Sequence, residues 1–508
     1  MIKHLLHLNK QIIRFFTGII LTQKQLALIC RIVFIAAILP LILIALFNYP
    51  ADDDFQFTLP AAAAFIHTRS LLSVFQSIVN NTKQTFMIWQ GNFVSTFLFS
   101  VNPMIFNIDL YFLTSWYILA LLCLSVGYLL KGVSNHYLRV PRSGFAIVYT
   151  AVMVLVLQFM PQIGDGVFWH NGGQYTVAAC LLMLILGLLL RCNEMQSARK
   201  GIKRGIALAL SSFALGGCFY GPALGAFVIF FFTTLISLLQ KGKLRWHSLI
   251  ALTFFTFSFA ISITAPGNLL RQERLGGHVG IISVVITTVL DSFDLTGRWI
   301  SSQLLAMLML ILPILWKPLK ESAHRFKHPF WVMVILYGMY ASTLTPGIYT
   351  GFGYVVGRYI NIVYLYFLIM VLGSLIYAEG SLIRLLERNA AETTTSTHVL
   401  SLFSERIGQR FSTLYLFICI GLLILGGFAN TIMNTSSISA AKSLLTGEAM
   451  WFRQEMNERQ EYIRVTDSDV VAVEVLSGQP YVFKRDRLPF QGIYGTVRYM
   501  KWYFELFE

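Results

Sequence analysis

The chain has 508 residues, of which 56% are hydrophobic and only 12% charged, and its mean hydropathy is +0.66. A soluble fold of this size needs many more surface charges, so the composition excludes a soluble enzyme, a nucleic-acid-binding domain and a single-anchor receptor. The formal net charge of +15 does not call for a polyanionic partner, because Lys and Arg of polytopic membrane proteins gather in cytoplasmic loops.

Taken in chain order, residues 1–25 form a basic cytoplasmic segment, with an amphipathic interfacial helix expected over 1–22. The first long apolar run, 26–48, ends at Phe47-Asn48-Tyr49-Pro50 without a small-residue cleavage site and reads as an uncleaved signal anchor. Further apolar spans fall near 104–130, 143–161, 174–191, 205–220, 222–239, 248–264, 300–316, 329–345, 359–378 and 413–430. By the rule that about 20 helical residues cross the hydrocarbon core, that makes about eleven crossings. Within 205–239, Gly216, Gly217, Gly221 and Pro222 mark either a turn between two spans or a kink in one. Charge arbitrates. With a cytoplasmic N-terminus, the N-terminal residues through Arg31 and the loops of that side carry 24 Lys and Arg, against 6 in the opposite loops. The asymmetry holds on both sides of the doubtful pair, which favours two crossings and places residues 431–508 outside.

That tail is nearly neutral, with ten acids and nine bases. A helix is expected over 438–463, a strand over Val470–Leu476 and a turn at Gly478-Gln479-Pro480, together a small mixed α/β periplasmic appendage. The fold class is therefore an all-α polytopic membrane domain, 26–430, followed by that appendage. Thr393-Thr394-Thr395-Ser396-Thr397 reads as a flexible stretch of the longest cytoplasmic loop. The six cysteines lie in or beside apolar runs without zinc spacing, so they read as buried thiols. No nucleotide-binding motif is present.

Chemistry concentrates on the outer side. Asp52-Asp53-Asp54 is the densest acidic cluster ahead of the tail. It is either a solvated loop with a helix-capping Asp, or a site for general-base catalysis or metal coordination. The neighbouring loops favour function. They carry Trp89-Gln90-Gly91-Asn92-Phe93, the run Gly164-Asp165-Gly166-Val167-Phe168-Trp169-His170, the run Pro266-Gly267-Asn268-Leu269-Leu270-Arg271, and Arg358-Tyr359. Any single Trp or Tyr there also suits an interfacial belt. Arg271 and Arg358 stand out, because outer loops hold few bases and Arg358 abuts an apolar span. Guanidinium at that level suits a lipid-linked phosphate or an ordinary headgroup. His170 reads as a base or phosphate donor, or as a hydrogen-bonded structural residue, and Asp165 as a turn residue.

An acidic pair just outside the first span, an amphipathic helix over 57–79 and about eleven spans resemble the GT-C superfamily of membrane glycosyltransferases. The pattern Asp53-Asp54-Phe55-x-Phe57, Trp89-x-Gly91-x-Phe93, Pro266-Gly267-Asn268-x-x-Arg271 and Arg358 is similar to bacterial membrane proteins of the DUF6056 type. Size and layout also resemble the serotype-converting O-antigen glucosyltransferases. The resemblance covers roughly 26–365. The family pattern has two acids where this chain has Asp52, Asp53 and Asp54, and Asp53 and Asp54 are matched because Phe55 follows them.

The resemblance implies a bacterial inner-membrane enzyme that transfers a hexose from a polyprenyl-phosphate donor to a glycan acceptor at the periplasmic face. One of the acids would deprotonate the acceptor hydroxyl, Arg358 and Arg271 would bind the donor phosphate, and Asn268, Trp89, His170, Trp169 and Tyr359 would contact sugar. No cofactor is implied; clustered carboxylates admit a divalent metal, but no second ligand set is evident. A flippase, a transporter or a polymerase of lipid-linked saccharides is the competing reading.

Overall fold

A computed structural model describes residues 20–192, 198–242, 244–275, 279–351, 357–390, 410–425, 434–466, 476–483 and 494–507. The described residues are almost entirely helical, with one short antiparallel pair among them, β1 (Ile20–Thr22) and β2 (Arg410–Ser412). Helix α1 (Gln23–Ile44) begins with a capping box. Thr22 Oγ1 accepts from Gln25 N, and Gln25 Oε1 accepts in return from Thr22 N at 2.9 Å. After α1 come α2 (Asp54–Thr68), α3 (Leu71–Ile88), α4 (Phe93–Ser100), α5 (Phe112–Val133), α6 (Arg142–Gln158), α7 (His170–Cys192) and α8 (Ala198–Gly216). The chain continues through α9 (Tyr220–Leu239), α10 (Arg245–Ile263), α11 (Pro266–Leu275), α12 (Ile281–Trp299), α13 (Ser302–Glu321), α14 (Pro329–Ser342), α15 (Thr345–Tyr349) and α16 (Gly357–Ala390). It closes with α17 (Thr413–Leu425), α18 (Ser436–Leu445), α19 (Glu448–Val465) and α20 (Tyr494–Glu505).

Among the described residues seven helical segments are long and apolar enough to cross a membrane, against the eleven crossings expected. Those seven include α1, α5, α7, α9, α10, α13 and α16. Helices α6 and α14 are apolar but only 17 and 14 residues long, short of the ~20 a full crossing takes. Residues 205–239 form two helices. Gly216 lies so close to α10 that a Cβ there would meet Phe255 O at 2.4 Å, and Pro222 sits in the first turn of α9, where no intrahelical N–H is needed.

Several elements differ from expectation. The amphipathic stretch 57–79 is two helices: Arg69 takes a left-handed conformation (φ 51°) and ends α2, and Ser70 caps α3 by accepting from Ser73 N. The expected outer loop 265–299 is largely helical, as α11 and α12. The tail helix breaks at Gly447, whose φ of 79° suits a residue without Cβ. The expected strand at 470–476 falls on residues that lie, but for Leu476, outside the described ones, as do the segment 1–19 and Thr393–Thr397. The described tail is helical apart from residues 476–483, and it shares the main hydrophobic core, to which Ala440, Phe452, Ile463, Tyr503 and Phe504 contribute.

The basic loops and the acid-bearing loops occupy opposite ends of the bundle. At the basic end, Ser143 donates to Gln23, Ser322 to Tyr137 O, and Arg384 to the last carbonyls of α13. At the other end, Asn48 donates to Phe168 O and Trp169 to Ala51 O, while Gly91 donates to Asn268.

Candidate functional site

Asn48 leaves α1 with its amide tied to Phe168 O at 2.6 Å and Ser115 Oγ at 3.1 Å, which fixes where the acidic loop starts. Three residues on, Trp169 Nε1 donates to Ala51 O at 3.0 Å. Asp52 then adopts φ 46°, a left-handed conformation that Asp tolerates better than most residues. This turn aims the three acids differently. Asp52 and Asp53 remain half-buried, while Asp54 enters the first turn of α2 and is fully buried.

Asp54 is an organising acid. Its Oδ2 accepts from Ala51 N at 3.1 Å and Tyr111 Oη at 2.5 Å, and its Oδ1 accepts from Asn171 N at 3.2 Å. Tyr111 Oη in turn accepts from His170 N at 2.9 Å, so one carboxylate joins α2 to α5 and α7. Burial pushes its pKa up to about 7, with the hydrogen bonds opposing and Asp52 adding a smaller upward push. Of the expected pair Asp53 and Asp54, Asp54 is buried among these donors, while Asp53 is half-buried like Asp52.

Arg358, in the first turn of α16, lies over the Trp169 ring at 4.9 Å and the Tyr175 ring at 5.7 Å, and its electrostatic neighbours are Asp53, Asp165 and Asp52. Asp165 belongs to a π-helical turn, Gly164–Phe168, and its carboxylate rests against the start of α16. A Cβ on Gly357 would lie 2.2 Å from Asp165 Oδ2, so only glycine allows the approach. Asn361 locks the same corner, with its amide oxygen accepting from Gln162 N at 2.9 Å and its amide nitrogen donating to Gln162 O at 2.6 Å.

Arg271, on α11, donates to Gln90 Oε1 at 2.9 Å and stacks over Trp89 at 5.1 Å. Its electrostatic neighbours are Tyr175, Tyr220 and Arg358, with no carboxylate among them. Burial first, and then Arg358, pull its pKa below the ordinary arginine range. Two guanidinium groups thus share one wall, backed by Trp169, Tyr175 and Trp89. Trp89 is 37% exposed and offers the open face. Among the described residues no group of three His, Cys, Asp or Glu side chains is placed to hold a metal ion.

Four of the expected sugar contacts belong to the frame. Asn268 spends its amide on Gly91 N, Tyr220 Oη, Ser262 O and Ile263 O, clamping the Trp89–Phe93 loop onto α10 and α11. His170 is fully buried, with Nε2 at 3.0 Å from Leu98 O and Nδ1 at 3.4 Å from Thr114 and Tyr117. Tyr359 donates to Thr343 O at 2.6 Å, and Trp169 is 1% exposed with its N–H on Ala51. Trp89 alone of the five is exposed, with Arg271 over its ring. The site residues missed in sequence are Tyr111, Tyr175, Asn361 and Gln162. The two tyrosines lie within apolar runs, where an aromatic reads as lipid-facing.

The chain is an all-α polytopic membrane protein whose charged and aromatic residues meet at one end of the bundle. No family model, no curated protein and no solved structure matches it.

Proposed function

We propose that this protein is a GT-C-type glycosyltransferase that moves a hexose, with glucose the first sugar to try, from a polyprenyl-phosphate donor to a cell-surface glycan such as O-antigen. In this reading it sits in a bacterial inner membrane with its N-terminus cytoplasmic and its C-terminus and site periplasmic. The observation that carries it is a pair of neighbouring arginines, Arg358 and Arg271, of which Arg358 lies beside the half-buried acids Asp52 and Asp53, at the end of an apolar bundle. A lipid-linked phosphate brings one end that needs hydrocarbon and one that needs guanidinium.

Asp53 accepts the proton of the acceptor hydroxyl as that oxygen attacks the anomeric carbon. The bond from the anomeric carbon to the phosphate oxygen breaks, and Arg271 and Arg358 stabilise the charge that develops there. Trp89 supplies the flat apolar surface on which a sugar ring packs. Asp54 carries no proton for the reaction; it holds the loop.

The test is transfer of radiolabelled hexose from a polyprenyl-phosphate donor to glycan acceptor by the purified protein in lipid vesicles. Transfer that depends on the protein supports the reading. No transfer, with protein-dependent movement of the donor across the vesicle bilayer, replaces it with a flippase.

A further inference from the structure

The C-terminal helices are more than a terminal appendage: they press on the loop that carries the acids. Arg453, on α19, donates to Asn48 O at 3.0 Å and to Asp109 Oδ1 at 2.5 Å, and its guanidinium covers the Tyr49 ring at 5.2 Å. One side chain thus grips the residue that ends the first span, the residue after it, and the 3-10 turn that opens α5. Gln460, two helical turns later, accepts from Tyr49 Oη at 2.9 Å. From α20, Tyr503 and Phe504 pack edge-on against Phe55 with ring centres 5.6 and 5.7 Å apart, and Tyr503 Oη donates to Met104 O at 2.5 Å. Phe55, Tyr49 and Tyr503 are each at most 3% exposed. Acid-bearing residues 52–54 are therefore held at both flanks by the tail, Tyr49 on one side and Phe55 on the other. The span between contains Asp52 in its left-handed conformation, which persists only where surroundings over-determine it.

We infer that the C-terminal helices form the outer half of the acid site, with Arg453 as the positioning residue that sets Asp52 and Asp53 against Arg358. Arg453 touches neither acid; it acts through Asn48 and Tyr49. A long side chain with 18% of its surface exposed, bridging a backbone carbonyl and a carboxylate, fixes the loop in two directions at once. Lysine carries the charge but not the planar fork that meets both acceptors.

The test uses the full-length protein in lipid nanodiscs and reads backbone hydrogen exchange over residues 48–57 by mass spectrometry, comparing wild type with Arg453→Ala, Arg453→Lys and Gln460→Ala. This readout does not rest on the glycosyltransferase reading. Arg453→Ala is expected to speed exchange there about tenfold or more, as local opening becomes easier. Gln460→Ala gives a smaller rise, and α9 and α10 stay unchanged in all three. The kinetic half rests on the transfer reading. A loop displaced by about 1 Å lowers kcat by about 100-fold, with the donor KM nearly constant because Arg271 is undisturbed. Arg453→Lys recovers part of both effects. Wild-type exchange over 48–57 in both alanine variants overturns the inference, as does faster exchange with unaltered kcat in a protein that transfers sugar. If wild type transfers nothing while the exchange effect holds, the glycosyltransferase reading fails and the tail's grip on the loop stands. Should Arg453→Ala not fold, Gln460→Ala decides, since it removes one bond to Tyr49.

Discussion

Asp54→Asn isolates the organising acid from Asp53, the proposed base. In wild type three donors converge on one carboxylate: Ala51 N–H and the Tyr111 hydroxyl on Oδ2, and Asn171 N–H on Oδ1. An amide has a single acceptor oxygen, so whichever way Asn turns, its NH2 faces at least one of those donors. A buried donor left without an acceptor costs about 1–3 kcal/mol. Ionisation adds a pH term with a definite sign. Burial raises the Asp54 pKa from 3.8 to about 7, so between those values the folded state binds more protons than the unfolded one. Stability then falls as pH rises through that window and is flat above it. At about 1.4 kcal/mol for each pH decade, the loss amounts to on the order of 4 kcal/mol. The variant has no such group. Thermal unfolding in detergent between pH 4 and 8 is therefore expected to show Asp54→Asn below wild type near pH 4, with the gap closing and then reversing as pH rises to 7, because the pH-linked loss in wild type exceeds the cost of one orphaned donor. An equal pH slope in both proteins, or no stability change near pH 4, refutes the buried-acid account.

Three further outcomes follow from the geometry. Arg271→Gln removes a cation whose electrostatic neighbours include no carboxylate. Loss of a charged hydrogen bond of about 1.5–3 kcal/mol weakens polyprenyl-phosphate binding roughly 10- to 150-fold, measured by fluorescence titration. Unchanged affinity contradicts the phosphate role. Gly91→Ala puts a Cβ 1.9 Å from Ser262 O and breaks the Asn268 clamp. Overpacking of about 1–3 kcal/mol lowers the melting temperature, and displacement of Trp89 raises the donor KM; a variant with wild-type values shows the clamp is not needed. Asn361→Leu removes the acceptor of Gln162 N and one of the two donors to Gln162 O, which keeps Gly166 N. One orphaned backbone N–H costs about 1–3 kcal/mol, read by thermal unfolding, and wild-type stability removes Asn361 from the frame.

Helix positions were legible because apolar runs of span length have few alternatives, and the division of loops between two ends followed from where Lys and Arg lie. Breaks were harder. Arg69 and Gly447 end helices through left-handed backbone, yet the apolar pattern runs across both. Helix α12 was hidden because Asp291, Asp294 and Arg298 fall in its C-terminal half, so hydropathy averages down along it although its charged and apolar residues lie on different faces. At the site, the sequence located the acids and the two arginines. It did not separate Asp54 from Asp53, because neighbours in sequence point apart only once the turn at Asp52 is known. Asn268, His170 and Tyr359 are polar residues in outer loops or at span ends, equally suited to substrate or to backbone carbonyls. Only the third dimension showed the carbonyls already there. Arg453 lies some 400 residues from Asn48, and no local pattern joins them.

The central claim is that Asp53, and not its buried neighbour, takes the proton. Hexose transfer from polyprenyl phosphate to acceptor glycan should be measured for wild type, Asp53→Asn and Asp54→Asn in the same vesicles, with folding of each checked first. Asp53→Asn is expected to lose at least about 100-fold in kcat with unaltered melting temperature, as removal of a general base does. Asp54→Asn is expected to retain measurable transfer. Full activity in Asp53→Asn, or loss confined to Asp54→Asn while its fold is intact, contradicts the account.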